Sequence, residues 1–210
     1  MKTLFLSSLI LFCLIIAYNN RRHSKMVEKQ QKEYWARENA ANSTRKKPLD
    51  NLPYITIPLD VLPLETMADS PEVQEYVELL QNLASVKIVN LTGYTNTDLK
   101  LEYGTANITV LSEYDANYTL LVRTLQDWAE LLYKAGYTDE AQTVLEFAVS
   151  TNTDISRSYY LLADIYDTKG DAAKKESLVA SAEQIRSVMK QTIVRTLQES
   201  GPYSDWLRCE

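Results

Sequence analysis

The stretch LLYKAGYTDEAQTVLEFA, residues 131–148, places Gly136 in the middle of a pattern that otherwise predicts helix. Thirty-four residues later DIYDTKGDAAKKESLVASA, residues 164–182, places Gly170 at the same point of a similar pattern. Glycine often ends a helix because it adopts a left-handed backbone conformation without a steric penalty. Each stretch therefore predicts two helices joined by a tight turn.

The two stretches match at more than their glycines when they are aligned at this offset. In each copy the first helix carries large apolar residues seven positions apart, Leu125 with Leu132 and Tyr159 with Tyr166. Between them a small residue, Ala129 or Ala163, directly follows another large one and lets a neighbouring helix approach closely. The matched pairs are Leu125 with Tyr159, Trp128 with Leu162, Ala129 with Ala163, Leu132 with Tyr166, Gly136 with Gly170 and Ala148 with Ala182. Thr138 and Asp171 are the predicted N-caps of the second helices. Such a hairpin cannot bury its apolar face alone, so the copies are expected to stack.

The two copies resemble the tetratricopeptide repeat, a 34-residue helix hairpin. The first copy, residues 122–155, matches the family pattern at Leu125, Trp128, Ala129, Leu132, Gly136, Ala141, Leu145 and Ala148. The second copy, residues 156–189, matches at Tyr159, Leu162, Ala163, Tyr166, Gly170 and Ala182. It has Lys175 where the family has Ala, and Thr153 and Ser187 stand where the two copies would have Pro. The resemblance implies an all-α fold of TPR-like hairpins with capping helices at both ends. A predicted helix at 71–85, with Ser70 as N-cap and Pro71 in its first turn, would cover one end, and a helix within 187–200 the other.

Tetratricopeptide domains bind proteins in a groove lined by the first helix of each hairpin. By repeat position, the resemblance implies a partner-binding groove of Arg123, Gln126, Glu130, Tyr133, Lys134, Arg157, Tyr160, Asp164 and Asp167. Its two arginines and two tyrosines would suit a short peptide with acidic and apolar residues. The family's carboxylate clamp has Lys and Asn where this chain has Gln126 with Glu130 and Tyr160 with Asp164, so binding of chaperone C-terminal tails is not supported. A solvated face without a ligand is the alternative.

The N-terminus predicts a membrane anchor over residues 1–20, because Leu4–Tyr18 is an uncharged apolar run of fifteen residues. A cleaved signal peptide is the alternative, although a suitable cleavage site is poorly defined. Residues 19–49 carry nine Lys or Arg against three Glu, a net charge of +6. By the positive-inside rule, this charge predicts a single-pass protein with a cytoplasmic domain.

Four N-x-[ST] sequons favour the opposite location, an extracytoplasmic structural or glycan-associated domain. They begin at Asn42, Asn90, Asn107 and Asn117. The chain has only two cysteines, Cys13 and Cys209, so no disulfide lies within the predicted domain. This cysteine usage favours a bacterial membrane protein.

Two segments are predicted to connect the anchor to a helical domain over residues 71–210. Residues 21–47 predict a basic juxtamembrane helix that binds anionic lipid or acts as a solvated spacer. Residues 48–70 contain Pro48, Pro53, Pro58 and Pro63 and predict an extended segment, either an apolar strap on the helical body or a binding motif. Within the domain, residues 87–111 are predicted to be loop with short helix or strand pieces.

No catalytic constellation is evident in the sequence. His23 is the only histidine and lies beside the anchor, which argues against a Ser-His-Asp arrangement or a histidine zinc site in the domain. No phosphate-binding glycine motif occurs, and acidic pairs on helix surfaces are usually solvated. Residues 51–210 carry twelve Lys or Arg against 24 Asp or Glu, a net charge of −12 that disfavours nucleic acid. The sequence thus predicts a membrane-tethered protein-protein interaction module, with no catalysis, cofactor or metal.

Overall fold

The computed structural model describes residues 2–199, without the side chains of residues 2–10, 13 and 14. Its helices are α1 (Lys2–Ser43), α2 (Pro71–Leu83), α3 (Asn96–Tyr103), α4 (Ile108–Lys134), α5 (Thr138–Ser150), α6 (Ser156–Lys169), α7 (Ala172–Ala182) and α8 (Lys190–Gln198), with a 3-10 turn at Thr105–Asn107. No strand occurs in this described range, where β pairing is limited to an isolated bridge between Tyr54 and Val89. The predicted all-α class is confirmed.

The chain divides into two compact units. The first contains α1, α3 and the 3-10 turn, and the second contains residues 49–94 and everything described from Thr109 onward. The second unit therefore contains α2, most of α4, and α5–α8.

In the first unit, α1 is one helix that ends at Ser43, four residues before the predicted end at 47. Its C-terminal part contacts α3 through an ion pair between Arg37 and Asp98 and a 2.8 Å hydrogen bond from Lys100 Nζ to Asn42 Oδ1. In the described part of the chain, no helix offers the length of apolar sequence that crossing a bilayer requires. Most side chains of the predicted span Leu4–Tyr18 lie outside the described residues.

The region predicted as loop with short pieces contains α3 and the start of α4. Helix α3 begins with a capping box: Thr95 Oγ1 accepts a hydrogen bond from Asp98 N at 3.2 Å, and Asp98 Oδ2 accepts one from Thr95 N at 2.9 Å. Gly104 ends it at φ +90°, where a Cβ atom would lie 2.2 Å from Arg45 O. The start of α3 is thus determined locally, whereas glycine at its end also allows the close approach of the backbone at Arg45.

The two predicted helix breaks of the second unit occur at the expected glycines. Gly136 follows α4 with φ +90°, and Gly170 follows α6 with φ +70°. Asp171 caps α7 through a 3.0 Å hydrogen bond from Lys174 N. The prediction for Thr138 is wrong, because α5 already includes Thr138 and Tyr137 occupies the N-cap position without a side-chain bond.

The core of the second unit consists mainly of residues from α4–α7. Fully or almost fully buried side chains include Leu125, Trp128, Ala129, Leu132, Tyr159, Leu162 and Ala163. Residues 48–70 contain no helix, but turns at 50–51, 59–61 and 64–69 interrupt the predicted extended conformation. Ile57 and Leu62 are buried in the same cluster, so the segment packs on the helices. Helix α2 begins at Pro71, and Ser70 makes no side-chain capping bond.

The chain from 172 to 198 forms two separate helices, α7 and α8. The sequence pattern does not predict whether this stretch is one helix or two.

Candidate functional site

The nine predicted groove residues lie on α4 and α6, where several of them bond to one another. Gln126 accepts a short hydrogen bond from Ser158 and donates one of 2.7 Å to Glu130 Oε1. Arg157 Nη2 donates to Glu130 Oε2 at 2.8 Å, and Lys134 Nζ lies 3.5 Å from the same oxygen. These contacts form a polar ladder between the first helices of the two hairpins.

The ladder continues towards the C-terminal ends of the two helices. Tyr133 Oη donates to Asp164 Oδ2 at 2.9 Å. Burial raises the pKa of the Tyr133 hydroxyl, and the Asp164 carboxylate, which accepts a hydrogen bond from that hydroxyl, raises the pKa further. Asp167 pairs with Lys175 of α7 at 2.7 Å.

The predicted groove therefore needs correction at two positions. Gln126 and Tyr160 are each only 4% exposed, because both side chains lie at the packed contact of neighbouring helices. They do not line an open surface. Arg123 is exposed, while Arg157 is bonded to Glu130, so the two arginines are not equally available to a ligand.

Two of the predicted residues, Glu130 and Lys134, also line a cleft of about 550 Å³ between α2 and α4. We call it the α2–α4 cleft. Its lining consists of Met67, Ser70, Glu72, Tyr76, Asp127, Glu130, Leu131, Lys134 and Ala135. Sequence reasoning missed the cleft because its two walls are about fifty residues apart and neither wall carries a recognisable motif.

The α2–α4 cleft combines apolar surface with negative charge. Met67, Tyr76, Leu131 and Ala135 supply the apolar surface, whereas Glu72, Asp127 and Glu130 supply carboxylates against the one ammonium of Lys134. Burial raises the pKa of the Tyr76 hydroxyl, and the negative charges of Asp127, Glu72, Glu75 and Glu130 raise it further. Burial and these carboxylates thus both favour the protonated form of the Tyr76 hydroxyl.

Met67 reaches the cleft from an unusual turn. Its φ of +56° lies in the left-handed region, which residues with a Cβ atom seldom adopt. Met67 packs against the hydrophobic core of the unit, and this packing can offset the backbone cost. Met67 thus contacts the core and also lines the cleft.

In the part of the chain that the structure describes, no group of three or more His, Cys, Asp or Glu residues is placed to hold a metal ion. The cleft carboxylates instead share its walls with apolar side chains.

Comparison of the chain with protein-family models, with curated proteins and with solved structures gives no match.

Proposed function

We propose that this chain is a membrane-tethered protein-protein interaction module, an adaptor built on two TPR-like hairpins and without catalytic activity of its own. The observation that carries the proposal is the α2–α4 cleft. It is open, has an apolar surface, and includes Glu130 and Lys134 from the first helix of the first repeat. A cleft of this size accommodates one or two side chains of a protein partner.

The repeat part of the proposal is supported by the turns and by the core. Glycines with positive φ follow α4 and α6 at the 34-residue offset, and each is followed by a second helix. Ala129 and Ala163, the small residues that the pattern requires for close helix approach, are completely buried. These features are typical of stacked helix hairpins.

The tether is the apolar run of residues 4–18, with the basic segment beyond it holding the domain on the cytoplasmic side. Lys and Arg of residues 21–47 would add attraction to anionic lipid, on the order of 1 kcal/mol for each residue near the surface. The adaptor would thus recruit its partner to the membrane.

Site-specific photo-crosslinking tests the adaptor function. Ala135, an exposed residue of the cleft, is replaced by p-benzoylphenylalanine in the full chain in its native cells. Glu113 receives the same residue as a matched control, because it is exposed on α4 about 21 Å along the helix from Asp127. We expect a discrete light-dependent adduct from position 135 alone. Identical adducts from both positions, or none from position 135, would contradict a partner in the cleft.

A further inference from the structure

A second pocket in the second unit differs from the α2–α4 cleft in its charge. It has a volume of about 420 Å³ and is lined by Pro53, Ile55, Asn90, Thr92, Ser150, Thr151, Asn152, Gln184 and Arg186. We call it the Arg186 pocket, because Arg186 is the one charged residue of this described lining. Small-molecule sites have volumes of roughly 300–1,000 Å³. The two sites share no lining residue, so binding in the Arg186 pocket does not depend on the proposed adaptor function.

Asn90 holds two walls of the Arg186 pocket together. Its amide nitrogen lies 2.9 Å from Thr151 O and 3.1 Å from Asn152 O, just beyond the C-terminal end of α5. Its amide oxygen accepts a hydrogen bond of 2.9 Å from Thr92 N. The wall at residues 53–55 is held by a hydrogen bond of 2.9 Å from Ile55 N to Ile88 O. These bonds form the pocket in the absence of a ligand, which lowers the entropic cost of binding one.

Two neighbouring residues position Arg186. Gly93 packs so closely against its backbone that a Cβ atom on Gly93 would lie 2.6 Å from Arg186 O. Arg186 Nη1 donates a hydrogen bond of 2.8 Å to Tyr94 Oη, and the guanidinium carbon lies 5.4 Å from the centre of the Tyr94 ring. Arg186 forms no ion pair with a carboxylate of the described residues. The guanidinium is therefore held in place, while its charge and most of its five N–H donors remain available to a ligand.

The other polar lining groups are neutral. The side chains of Thr92, Asn152 and Gln184 form no hydrogen bond to another described residue. A hydroxyl and two carboxamides offer both donors and acceptors, and this combination can pair with the hydroxyl groups of a ligand. Pro53 and Ile55 add apolar surface, against which the C–H groups of a small ring can pack.

The single arginine limits the charge of the ligand. A carboxylate carries one negative charge and can accept two parallel hydrogen bonds from a guanidinium. A phosphate monoester carries about −1.5 to −2 at pH 7, more than one arginine neutralises. The excess would be repelled by residues 51–210, whose net charge is −12. Because salt screens exposed charges beyond about 8 Å at physiological ionic strength, one negative charge beside Arg186 is favourable despite that net charge.

We infer that the Arg186 pocket binds a small hydroxylated carboxylate, the chemical class of the sugar acids. Arg186 binds the carboxylate, the neutral polar side chains of the lining bond the hydroxyl groups, and Pro53 and Ile55 contact the ring. The site is separate from the α2–α4 cleft in both its residues and its ligand chemistry.

Four small compounds test this inference. Methyl β-D-glucuronide and methyl β-D-glucoside differ only in a carboxylate against a hydroxymethyl group, acetate supplies the carboxylate alone, and glucose 6-phosphate supplies a phosphate. Each is titrated at pH 7 into the isotopically labelled full chain in a polyoxyethylene detergent, which contains no sugar. The backbone amide signals of Thr92, Asn152 and Arg186 are followed. We expect methyl β-D-glucuronide to shift these signals at low millimolar concentration, and the other three compounds to bind at least about tenfold more weakly.

Substitution of the arginine supplies the matched variants. Arg186→Gln removes the guanidinium and should lower the affinity for methyl β-D-glucuronide at least about tenfold, while its affinity for methyl β-D-glucoside stays the same. Arg186→Lys keeps the charge without the planar fork, so its affinity should lie between those of the native chain and Arg186→Gln. The control is Arg195→Gln, the same change at an exposed position of α8 outside the lining, and it should leave the affinity unchanged. Amide signals of α4–α6 report whether any variant alters the fold.

Several outcomes would overturn the inference. Equal affinity for methyl β-D-glucoside would contradict the role of the carboxylate, and equal affinity for acetate would contradict the role of the hydroxyl groups. Tighter binding of glucose 6-phosphate would replace the carboxylate by a phosphate. Equal weakening by Arg186→Gln and Arg195→Gln would mean a non-specific attraction of anions. Shifts with none of the compounds in the tens of millimolar would contradict the pocket as a binding site.

Discussion

At the scale of single residues, three of the four sequon asparagines, Asn90, Asn107 and Asn117, donate hydrogen bonds from their side-chain amide nitrogens within the fold, that of Asn117 to Lys87 O at 3.1 Å. The amide nitrogen of Asn107, a residue only 1% exposed, donates hydrogen bonds to Lys47 O and Tyr103 O, both at 2.7 Å. The amide nitrogen of Asn90 is within hydrogen-bond distance of Tyr118 Oη and of two backbone oxygens. N-linked sugar is attached to this same nitrogen, so a glycan on any of these residues would replace one of its N–H donors and disturb these hydrogen bonds.

The first prediction concerns Asn107→Ala. Loss of two buried hydrogen bonds should destabilise the first unit by roughly 1–3 kcal/mol. Hydrogen exchange of the Lys47 amide, which bonds Tyr103 O at 3.0 Å, measures this effect locally and should accelerate at least fivefold. Asn96→Ala, the same substitution at an exposed position of α3 in the same unit, is the control. Unchanged exchange at Lys47 would show that the side chain of Asn107 does not hold this segment.

The second prediction distinguishes Tyr160 from Arg123. Because Tyr160 is buried, Tyr160→Ala should leave a cavity and lower the free energy of unfolding by about 3–5 kcal/mol. Arg123→Glu changes an exposed residue and should alter that free energy by less than about 0.5 kcal/mol. Denaturant titration of both variants measures the difference. If Tyr160→Ala leaves the free energy of unfolding unchanged, the prediction that Tyr160 lines the groove would stand.

At the scale of secondary-structure elements, one carboxylate joins three helices. Glu146 of α5 accepts hydrogen bonds from Lys174 Nζ of α7 and Tyr166 Oη of α6, both at 2.9 Å, and from Gln142 at 2.7 Å. Partial burial alone would raise the pKa of Glu146, but the hydrogen bonds from Lys174, Gln142 and Tyr166 outweigh it and lower the pKa. The ionised form is thus the one that the fold stabilises.

The third prediction is the pH dependence of Glu146→Gln. A lowered pKa in the folded state contributes stability above the pKa of the unfolded state, about 4.3, and that stability is lost as the pH falls through the folded value. The variant should be less stable at pH 7 by under about 1 kcal/mol, because Glu146 is 39% exposed and water screens its charge. Thermal melts from pH 7 to pH 3 should show the two proteins converging. A constant difference across this range would mean that the charge of Glu146 has no part in the effect.

The sequence predicts those elements whose boundaries and faces are encoded locally. Gly136 and Gly170 end their helices because both need positive φ, and the seven-residue spacing of large apolar residues defines the buried face of α4 and α6. Helix α3 lies in a region predicted as loop with short helix or strand pieces. The sequence left the choice open because the alternation of Leu99, Leu101 and Tyr103 is typical of a strand, whereas Thr95 and Asp98 form a helix capping box.

The candidate site was less predictable than the helices. Gln126 and Glu130 were placed correctly on α4, but their hydrogen bonds depend on the side chains of Ser158 and Arg157 on α6. Whether a polar helix position is exposed or bonded to a neighbour is decided by packing between helices, which periodicity does not specify. The same reason explains the α2–α4 cleft, whose two walls meet only in the folded chain.

At the scale of the whole molecule, the two units are interleaved in the sequence. Residues 95–108 belong with α1, although the sequence assigned the whole of 71–210 to one helical domain. Charge is divided along the chain as well, with +6 over residues 19–49 and −12 over residues 51–210. This asymmetry underlies the fourth prediction, because basic residues beside an apolar run determine which side of the membrane the rest of the chain occupies.

The fourth prediction is that position 113 faces the cytoplasm. Glu113 is exposed on α4, so Glu113→Cys in a Cys209→Ser background provides a reactive thiol in the folded domain. A membrane-impermeant maleimide should label it only after cell lysis, whereas Thr3→Cys, on the other side of the predicted span, should be labelled in intact cells. The reverse pattern would place the domain outside the cytoplasm and contradict the charge-based orientation. In that case Asn42, whose side chain is exposed at the end of α1, is the sequon to test first for a glycan, since Asn90, Asn107 and Asn117 use their amide nitrogens within the fold.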